Sequence, residues 1–146
     1  MTCASVACSG IPEYGKASTG WPCHAMEHEL SAYYDITHGV GLAILTPSWM
    51  RYILQKDPSV TWRFFRFAKE VWNLEDQDET KLAYAGIDAL EHFFKEAGIP
   101  MRLSELGIDD TYFEEMARHA NRNGRLSNGF VALNEQDIVE IFKNCL

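Results

Sequence analysis

Three histidines lie close together in the first third of the chain, and imidazole side chains can bind a metal ion or carry a proton. His24, His28 and His38 fall within fifteen residues, in the pattern His-x3-His-x9-His. His24 and His28 are four residues apart, so on a helix their side chains project from one face. His38 follows a short turn that can bring it back toward that face. Because neutral imidazole suits zinc, iron and nickel, this spacing favours a metal site.

The same spacing has a second interpretation, because two histidines one helical turn apart also occur on solvated helix faces. The apolar residues 39–54 favour the metal site. They would place His38 at the rim of a core, where an unpaired polar group needs a partner. Three carboxylates, Glu27, Glu29 and Asp35, are available to accept hydrogen bonds from the ring nitrogens that do not bind the metal.

The elements that carry these histidines are predicted to be helices. Helical spacing without a breaker predicts a helix over Pro22–Tyr34, followed by a turn at 35–38. Residues 39–54 are apolar on nearly all sides, which predicts a central helix that Pro47 would kink. The other predictions are the end of a helix at 1–8, a loop at 10–20, helices over 58–72, 78–97, 110–121 and 135–146, and a turn at 103–106. No segment alternates with a period of two, so the predicted fold class is all-α.

The periodicity and the capping residues also predict which positions are buried and where helices begin. Asp57 before Pro58, Asp109 or Asp110, and a capping box of Asn134 with Asp137 are the predicted helix starts. The predicted core positions are Val60, Phe64, Phe67, Ala68 and Val71 on one helix, Leu82, Ala83, Ile87, Leu90, Phe94 and Ala97 on the next, and Trp49, Met50, Tyr52 and Ile53 in the central segment.

Composition limits the classes of function. A chain of 146 residues is the length of one domain, and 21 acidic against 13 basic residues give a net charge of −8, which argues against a nucleic-acid partner. There is no apolar run near ~20 residues and no signal-peptide pattern, so we expect no membrane span and a cytoplasmic protein. The four cysteines, in no Cys-x-x-Cys pair, are expected to be reduced.

The two remaining histidines have simpler interpretations than metal binding. Asp88 and His92 have the spacing of a metal-binding pair, but on their helix they share a face with Lys81 and Lys95. That charge pattern is typical of a solvated face. His119 is predicted near the end of a helix, where a positive charge is favourable, and it receives no functional role.

The segment CHAMEHELSAYYDITHGVGLAILTPSWMRYIL, residues 23–54, resembles the signature region of the iron-containing alcohol dehydrogenases, and is closest to their butanol dehydrogenase-like branch. The resemblance continues through FFRFAKEVW, GIDALEHFFKEAGIPMRLSELGID and GFVALNEQDIVEIF, and so covers essentially the whole chain. It implies a multi-helix bundle like the C-terminal domain of these enzymes and of dehydroquinate synthase-like proteins.

The resemblance also implies roles for the three histidines. His24 and His38 match two ligands of a divalent metal, iron or zinc. His28 matches a histidine that is usually not a ligand but lies near substrate and nicotinamide, as a candidate catalytic residue for proton relay or positioning. Helix geometry alone would instead have paired His24 with His28.

The family's dinucleotide-binding half, which carries a glycine-rich loop and an Asp-x3-His metal pair, has no counterpart in this chain. We therefore expect residues 1–146 to be a single helical metal-contributing domain, with 1–20 a partial helix and loop, and no residue is assigned to cofactor binding. The resemblance implies part of an NAD(P)-dependent alcohol dehydrogenase or aldehyde reductase for small primary alcohols, with the metal as Lewis acid on the alkoxide.

The isolated chain is expected to be inactive. The alternative is a non-catalytic helical fragment that binds metal through His24, His28 and His38 together, or an interaction fragment. In either case an uncovered interdomain face would allow self-association.

Overall fold

The computed structural model describes residues 2–11, 14–15 and 20–146, and within these ranges the regular elements are helices, with no strand. The all-α prediction is confirmed. Parts of the predicted loop at 10–20, and the side chain of Cys8, lie outside the described residues. The helices are α1 (Thr2–Cys8), α2 (Pro22–Tyr34), α3 (His38–Lys56), α4 (Thr61–Trp72), α5 (Glu79–Glu96), α6 (Phe113–Ala120) and α7 (Glu135–Lys143), with short 3₁₀ turns at Pro58–Val60, Leu103–Leu106 and Arg122–Gly124.

The connection between α2 and α3 is the part of the fold that builds the histidine cluster. α2 begins with Pro22 in its first turn and ends at Tyr34, where Asp35 adopts a left-handed conformation with φ 51° and its N–H bonds the Ser31 carbonyl. α3 starts at His38, one residue earlier than the predicted apolar segment. The chain therefore reverses between two histidine-bearing helices within a few residues.

α3 is the central helix, as its composition predicts. It remains helical through Pro47 and packs against α2, α5 and α7. Ile53 is fully buried, and Trp49, Met50 and Tyr52 pack partly buried against the core, so their predicted packing role is confirmed. Within the ranges that the structure describes, no helix combines the length and apolar character needed to cross a membrane.

α4 and α5 form the closest helix pair, and most of their predicted buried faces are correct. Phe64, Ala68, Leu82 and Ile87 are buried. The close approach depends on Gly86, because a Cβ there would lie 2.6 Å from the Cβ of Ala68.

Two predicted core positions on these helices are wrong. Val71 is 60% exposed, because Trp72 takes the inward position in the last turn of α4 and packs against Phe67 and Phe93. Ala97 is exposed, because α5 ends at Glu96 and the chain turns away through Gly98.

The predicted helix starts are mostly confirmed. Asp57 accepts the N–H of Ser59 at 3.0 Å, but the turn it caps is a 3₁₀ turn that leads into α4. Asn134 and Asp137 form the predicted capping box of α7. Asp109 and Asp110 do not cap α6, which begins at Phe113. The Asp109 carboxylate instead accepts the N–H of Thr111, and the chain makes a separate turn before the helix.

Asp137 also links α7 to α3. Its carboxylate accepts hydrogen bonds from the Tyr52 hydroxyl at 2.7 Å and from Lys56 Nζ at 2.5 Å. Burial opposes the charged form of Asp137, but the hydrogen bonds from Lys56, the Asn134 backbone and Tyr52 outweigh it and hold its pKa below the usual value. Burial and the contact with Asp137 raise the pKa of Tyr52 to about 12.

Candidate metal centre

The turn between α2 and α3 brings the three histidines together. The ring centroid of His38 lies 5.3 Å from that of His24 and 5.5 Å from that of His28. The rings of His24 and His28 are 6.3 Å apart. The expectation that His38 returns to the face of α2 is therefore confirmed.

The cluster is open on one side. His24 is half-buried, and the side chain of His38 is 48% exposed. Burial, together with the neighbouring His38 and His28, lowers the pKa of His24, which keeps its ring neutral. Neutral imidazole is the form that binds a metal ion, so the donor chemistry of the cluster fits a divalent cation held from this face.

A buried carboxylate lies behind the imidazoles. Glu27 is 0% exposed, its Oε2 pairs with Nδ1 of His38, and its Oε1 accepts the Ser31 hydroxyl at 2.5 Å. A Cβ at position 41 would lie 2.7 Å from Cγ of Glu27, so only glycine leaves room for this side chain. Of the three carboxylates predicted to support the imidazoles, Glu27 contacts the cluster.

The other two predicted carboxylates have different partners. Glu29 faces His119 in the last turn of α6, with 3.5 Å between its carboxylate and Nδ1. Asp35 is an exposed residue at the end of α2. His119 lies at the helix C-terminus as predicted, and it is also 3.5 Å from the Tyr33 hydroxyl.

The geometry leaves two ligand sets to compare. Donor atoms of Glu27, His28 and His38 all lie within 4.8 Å of one another. Both oxygens of Glu27, however, already have partners in a site without contact to water. As a metal ligand, Glu27 would have to give up one of these hydrogen-bond partners. The other ligand set pairs His24 of α2 with His38 of α3.

A cleft of about 380 Å³ adjoins the cluster. His24 and His28 line it together with apolar Trp21, Ala25 and Leu126, and the Trp21 ring packs edge-on against His24 at 4.9 Å. Gly20 and Arg125 complete the lining. Leu126 and Arg125 come from the irregular segment after α6, and no periodic or spacing signal in the sequence points to them.

The Asp-x3-His pair formed by Asp88 and His92 is not part of a site. Asp88 is 67% exposed and pairs with Arg51 at 2.6 Å, and His92 is 71% exposed and lies 3.2 Å from Glu96. The predicted solvated face is therefore confirmed. Lys81 pairs with Asp76 on the same exposed surface.

The described cysteines are free thiols. Burial raises the pKa of Cys23 to about 12 and that of Cys145 to about 11, so neither supplies a thiolate at neutral pH. Cys3 is exposed and forms no disulfide. Cys23 and Cys145 therefore offer no thiolate ligand to the histidine cluster.

Residues 2–146 match the family model of the Fe-containing alcohol dehydrogenase family, C-terminal. The chain is 44% identical over 145 residues to NADH-dependent butanol dehydrogenase A of Clostridium acetobutylicum, covering 98% of this chain and 36% of that enzyme. It is 32% identical over 130 residues to 1,3-propanediol dehydrogenase of Citrobacter freundii, covering 89% of this chain and 33% of that enzyme. The chain thus spans about a third of the length of these curated relatives.

Solved structures show the same fold. The crystal structure of NADH-dependent butanol dehydrogenase A from Thermotoga maritima superposes with a TM-score of 0.78 at 33% identity, over 97% of this chain and 37% of that one. A crystal structure of YqhD from Escherichia coli superposes with a TM-score of 0.84 over 100% of this chain and 37% of that one, at 23% identity.

Proposed function

This chain belongs to the iron-containing alcohol dehydrogenase family, whose C-terminal part it matches, and on that premise we propose that it supplies His24 and His38 as ligands of a divalent metal. The reaction proposed for the whole enzyme is the NAD(P)-dependent interconversion of small primary alcohols and aldehydes. The observation that carries the proposal is the meeting of these two imidazoles, which come from different helices, have ring centroids 5.3 Å apart, and include one, His24, that lines the cleft.

Iron and zinc both suit this donor set, because both accept imidazole nitrogen. When bound, the metal supplies Lewis-acid polarisation of the substrate oxygen. The hydride chemistry belongs to the nicotinamide. This chain's own contribution is to hold His24 neutral beside the cleft and to present His38 from the first turn of α3.

His28 is proposed to position the substrate or to carry its proton. It is exposed at the cleft, one turn along α2 from His24. Imidazole accepts and releases protons near neutral pH, so a ring at this place can exchange a proton between a substrate hydroxyl and water.

The walls of the cleft support a small substrate with an apolar tail. Trp21, Ala25 and Leu126 provide hydrocarbon surface next to the polar imidazoles. A volume of about 380 Å³ is at the lower end of ligand pockets, which suits a short alcohol or aldehyde better than a bulky one.

A second candidate function is metal binding without catalysis, with His28 as a further ligand. It is favoured by the donor atoms of His28, His38 and Glu27, which lie within 4.8 Å of one another. The two candidates differ in what the loss of His28 does to metal affinity.

Calorimetric titration of the metal-free chain tests both candidates, with zinc in air and with ferrous iron under anaerobic conditions. We expect His24→Ala and His38→Ala each to weaken binding at least about ten-fold, or ~1.4 kcal/mol. His28→Ala should stay close to the wild type, as should the control His92→Ala on the solvated face of α5. Loss of binding in His28→Ala, with retention in His24→Ala, would contradict the assignment.

A further inference from the structure

Glu27 is an unusual residue for its place in the fold, because it carries a carboxylate into the space between α2 and α3. It is 0% exposed, and both Leu30, the next residue on its helix face, and the adjacent Met26 are also fully buried. A buried carboxylate is costly unless its oxygens accept hydrogen bonds. Both oxygens of Glu27 do so, from the Ser31 hydroxyl and from His38. One of its hydrogen bonds is therefore made with a residue of the histidine cluster, His38.

The contact with His38 determines which ring nitrogen is available. An ionised carboxylate can only accept, so with Glu27 ionised Nδ1 of His38 donates to Oε2, and a neutral His38 ring then carries its proton on Nδ1. Nε2 is left with its lone pair on the opposite edge of the ring. The side chain is 48% exposed, and its ring centroid lies 5.3 Å from that of His24 and 5.5 Å from that of His28.

The surrounding residues hold Glu27 in this position. Ser31 lies one turn further along α2, and its hydroxyl is 2.5 Å from Oε1 and 3.1 Å from the carbonyl oxygen of Ile36. Gly41, in the first turn of α3, leaves the space that the glutamate side chain fills. The carboxylate is thus held from α2, from the turn and from α3.

We propose that Glu27 is a positioning residue of the metal centre, which holds His38 in the Nδ1–H tautomer and aims its Nε2 at the metal. The inference rests on the proposed function, because it assumes His38 as a ligand. A carboxylate hydrogen-bonded behind an imidazole ligand sets its tautomer and increases its basicity. Glu27 therefore acts through His38 and is not itself a ligand.

Nitrogen-15 NMR of the metal-free chain, labelled at histidine, tests the contact directly. In spectra recorded where the His38 ring is neutral, we expect the Nδ1–H tautomer of His38 in the wild type. Glu27→Gln keeps an acceptor oxygen and should retain this tautomer, whereas Glu27→Ala should give a tautomer mixture. The matched control is Glu29→Ala, which removes a carboxylate from the same helix without touching the cluster.

Zinc titration of the same variants tests the consequence. We expect Glu27→Ala to lose about 10–100-fold in zinc affinity. Glu27→Gln should lose less, and Glu29→Ala nothing. Ser31→Ala keeps the carboxylate but removes the hydroxyl that donates to it, so we expect an intermediate loss of zinc affinity. If circular dichroism shows that Glu27→Ala does not fold, Ser31→Ala replaces it in the comparison.

The outcomes separate the two proposals. An unchanged His38 tautomer in Glu27→Ala, or unchanged zinc affinity in both Glu27→Gln and Ser31→Ala, overturns the positioning role. If the wild type does not bind zinc while the tautomer still depends on Glu27, the metal-binding function fails and the contact that defines the positioning role stands.

Discussion

At the scale of single residues, the histidine cluster depends on a glycine as well as on its imidazoles. Gly41 is buried, and a Cβ there would lie 2.7 Å from Cγ and 2.9 Å from Oε1 of Glu27. Gly39, two residues earlier in the same turn, has nothing within 4 Å of its own Cβ position. The space left by glycine is therefore needed at position 41 but not at position 39.

This difference predicts opposite effects of the same substitution. Gly41→Ala should lower the free energy of unfolding by about 1–3 kcal/mol, because the methyl group displaces a buried side chain. It should also weaken zinc binding, because Glu27 can no longer support His38. The readouts are urea denaturation and zinc calorimetry.

Gly39→Ala is the matched control. It should leave zinc affinity unchanged and raise stability by up to about 0.5–1 kcal/mol, since alanine loses less entropy than glycine in a helix. Equal effects of the two substitutions would show that the space at position 41 is not required.

Which residues form the cluster was predictable, and how they are supported was not. The spacing of His24 and His28 and the turn before His38 predict their meeting. Three carboxylates were equally available as supports, and the choice of Glu27 depends on the way α3 packs against α2. A contact between two helices has no signal in the local periodicity of either one.

At the scale of elements, α4 and α5 are held together at a point where neither helix has a large side chain. A Cβ at Gly86 would lie 2.6 Å from Cβ and 2.8 Å from Cα of Ala68. The backbones of the two helices are therefore nearly in contact there, and any added atom must push them apart.

Gly86→Ala should therefore be destabilising. The cost of overpacking, about 1–3 kcal/mol, exceeds the gain of about 1 kcal/mol in helix propensity. Adding Ala68→Gly should restore part of the loss, because it removes the closer contact but leaves the Cα. A double-mutant cycle by urea denaturation measures this coupling, and additive losses would contradict the close approach.

The contact between α3 and α7 predicts a pH dependence of stability. The pKa of Asp137 is held below its usual value in the folded chain. Its stabilising contribution is thus full above the pKa of an unfolded aspartate, about 3.9, and is lost as the pH falls through the folded pKa.

At neutral pH we expect Asp137→Asn to lower the free energy of unfolding by roughly 2 kcal/mol. This is less than a fully buried ion pair would lose, because Lys56 is partly exposed to solvent. The difference from the wild type should shrink toward about pH 3. Glu135→Gln, at an exposed position in the first turn of α7, is the control and should show neither effect. A difference that is independent of pH would contradict the role of the charge.

Helix identities were predictable because each helix has its own apolar period, and most helix starts followed from their capping residues, but some buried positions and one helix start were not predictable. Val71 and Ala97 continue the apolar period of their helices, and the structure exposes both. Their exposure is set by Trp72 and by the early end of α5, which depend on neighbouring elements. Asp109 has the residue type of a helix cap but closes a separate turn.

At the scale of the whole molecule, the cleft combines the start of α2 with the irregular segment after α6. On this side the chain presents the imidazoles of His24 and His28 beside an apolar wall. Within the residues that the structure describes there is no strand followed by a glycine-rich loop, the usual cradle for a dinucleotide.

We accordingly predict that the 146-residue chain binds metal without binding NADH. Fluorescence titration should show no saturable binding of NADH below about 1 mM, a level worth only ~4 kcal/mol. Saturable binding at micromolar concentrations would show that this chain carries a nucleotide site of its own. Self-association through an uncovered interdomain face stays a prediction, which sedimentation velocity over a wide concentration range would test.

The most direct measurement is a crystal structure of this chain grown with zinc, with an anomalous difference map at the zinc edge. We predict a single peak bonded to imidazole nitrogens of His24 and His38 at about 2.0–2.1 Å, with Glu27 still paired to Nδ1 of His38. A zinc ion held by Glu27 and His28 with His24 unbound, or no peak at the cluster, would contradict it.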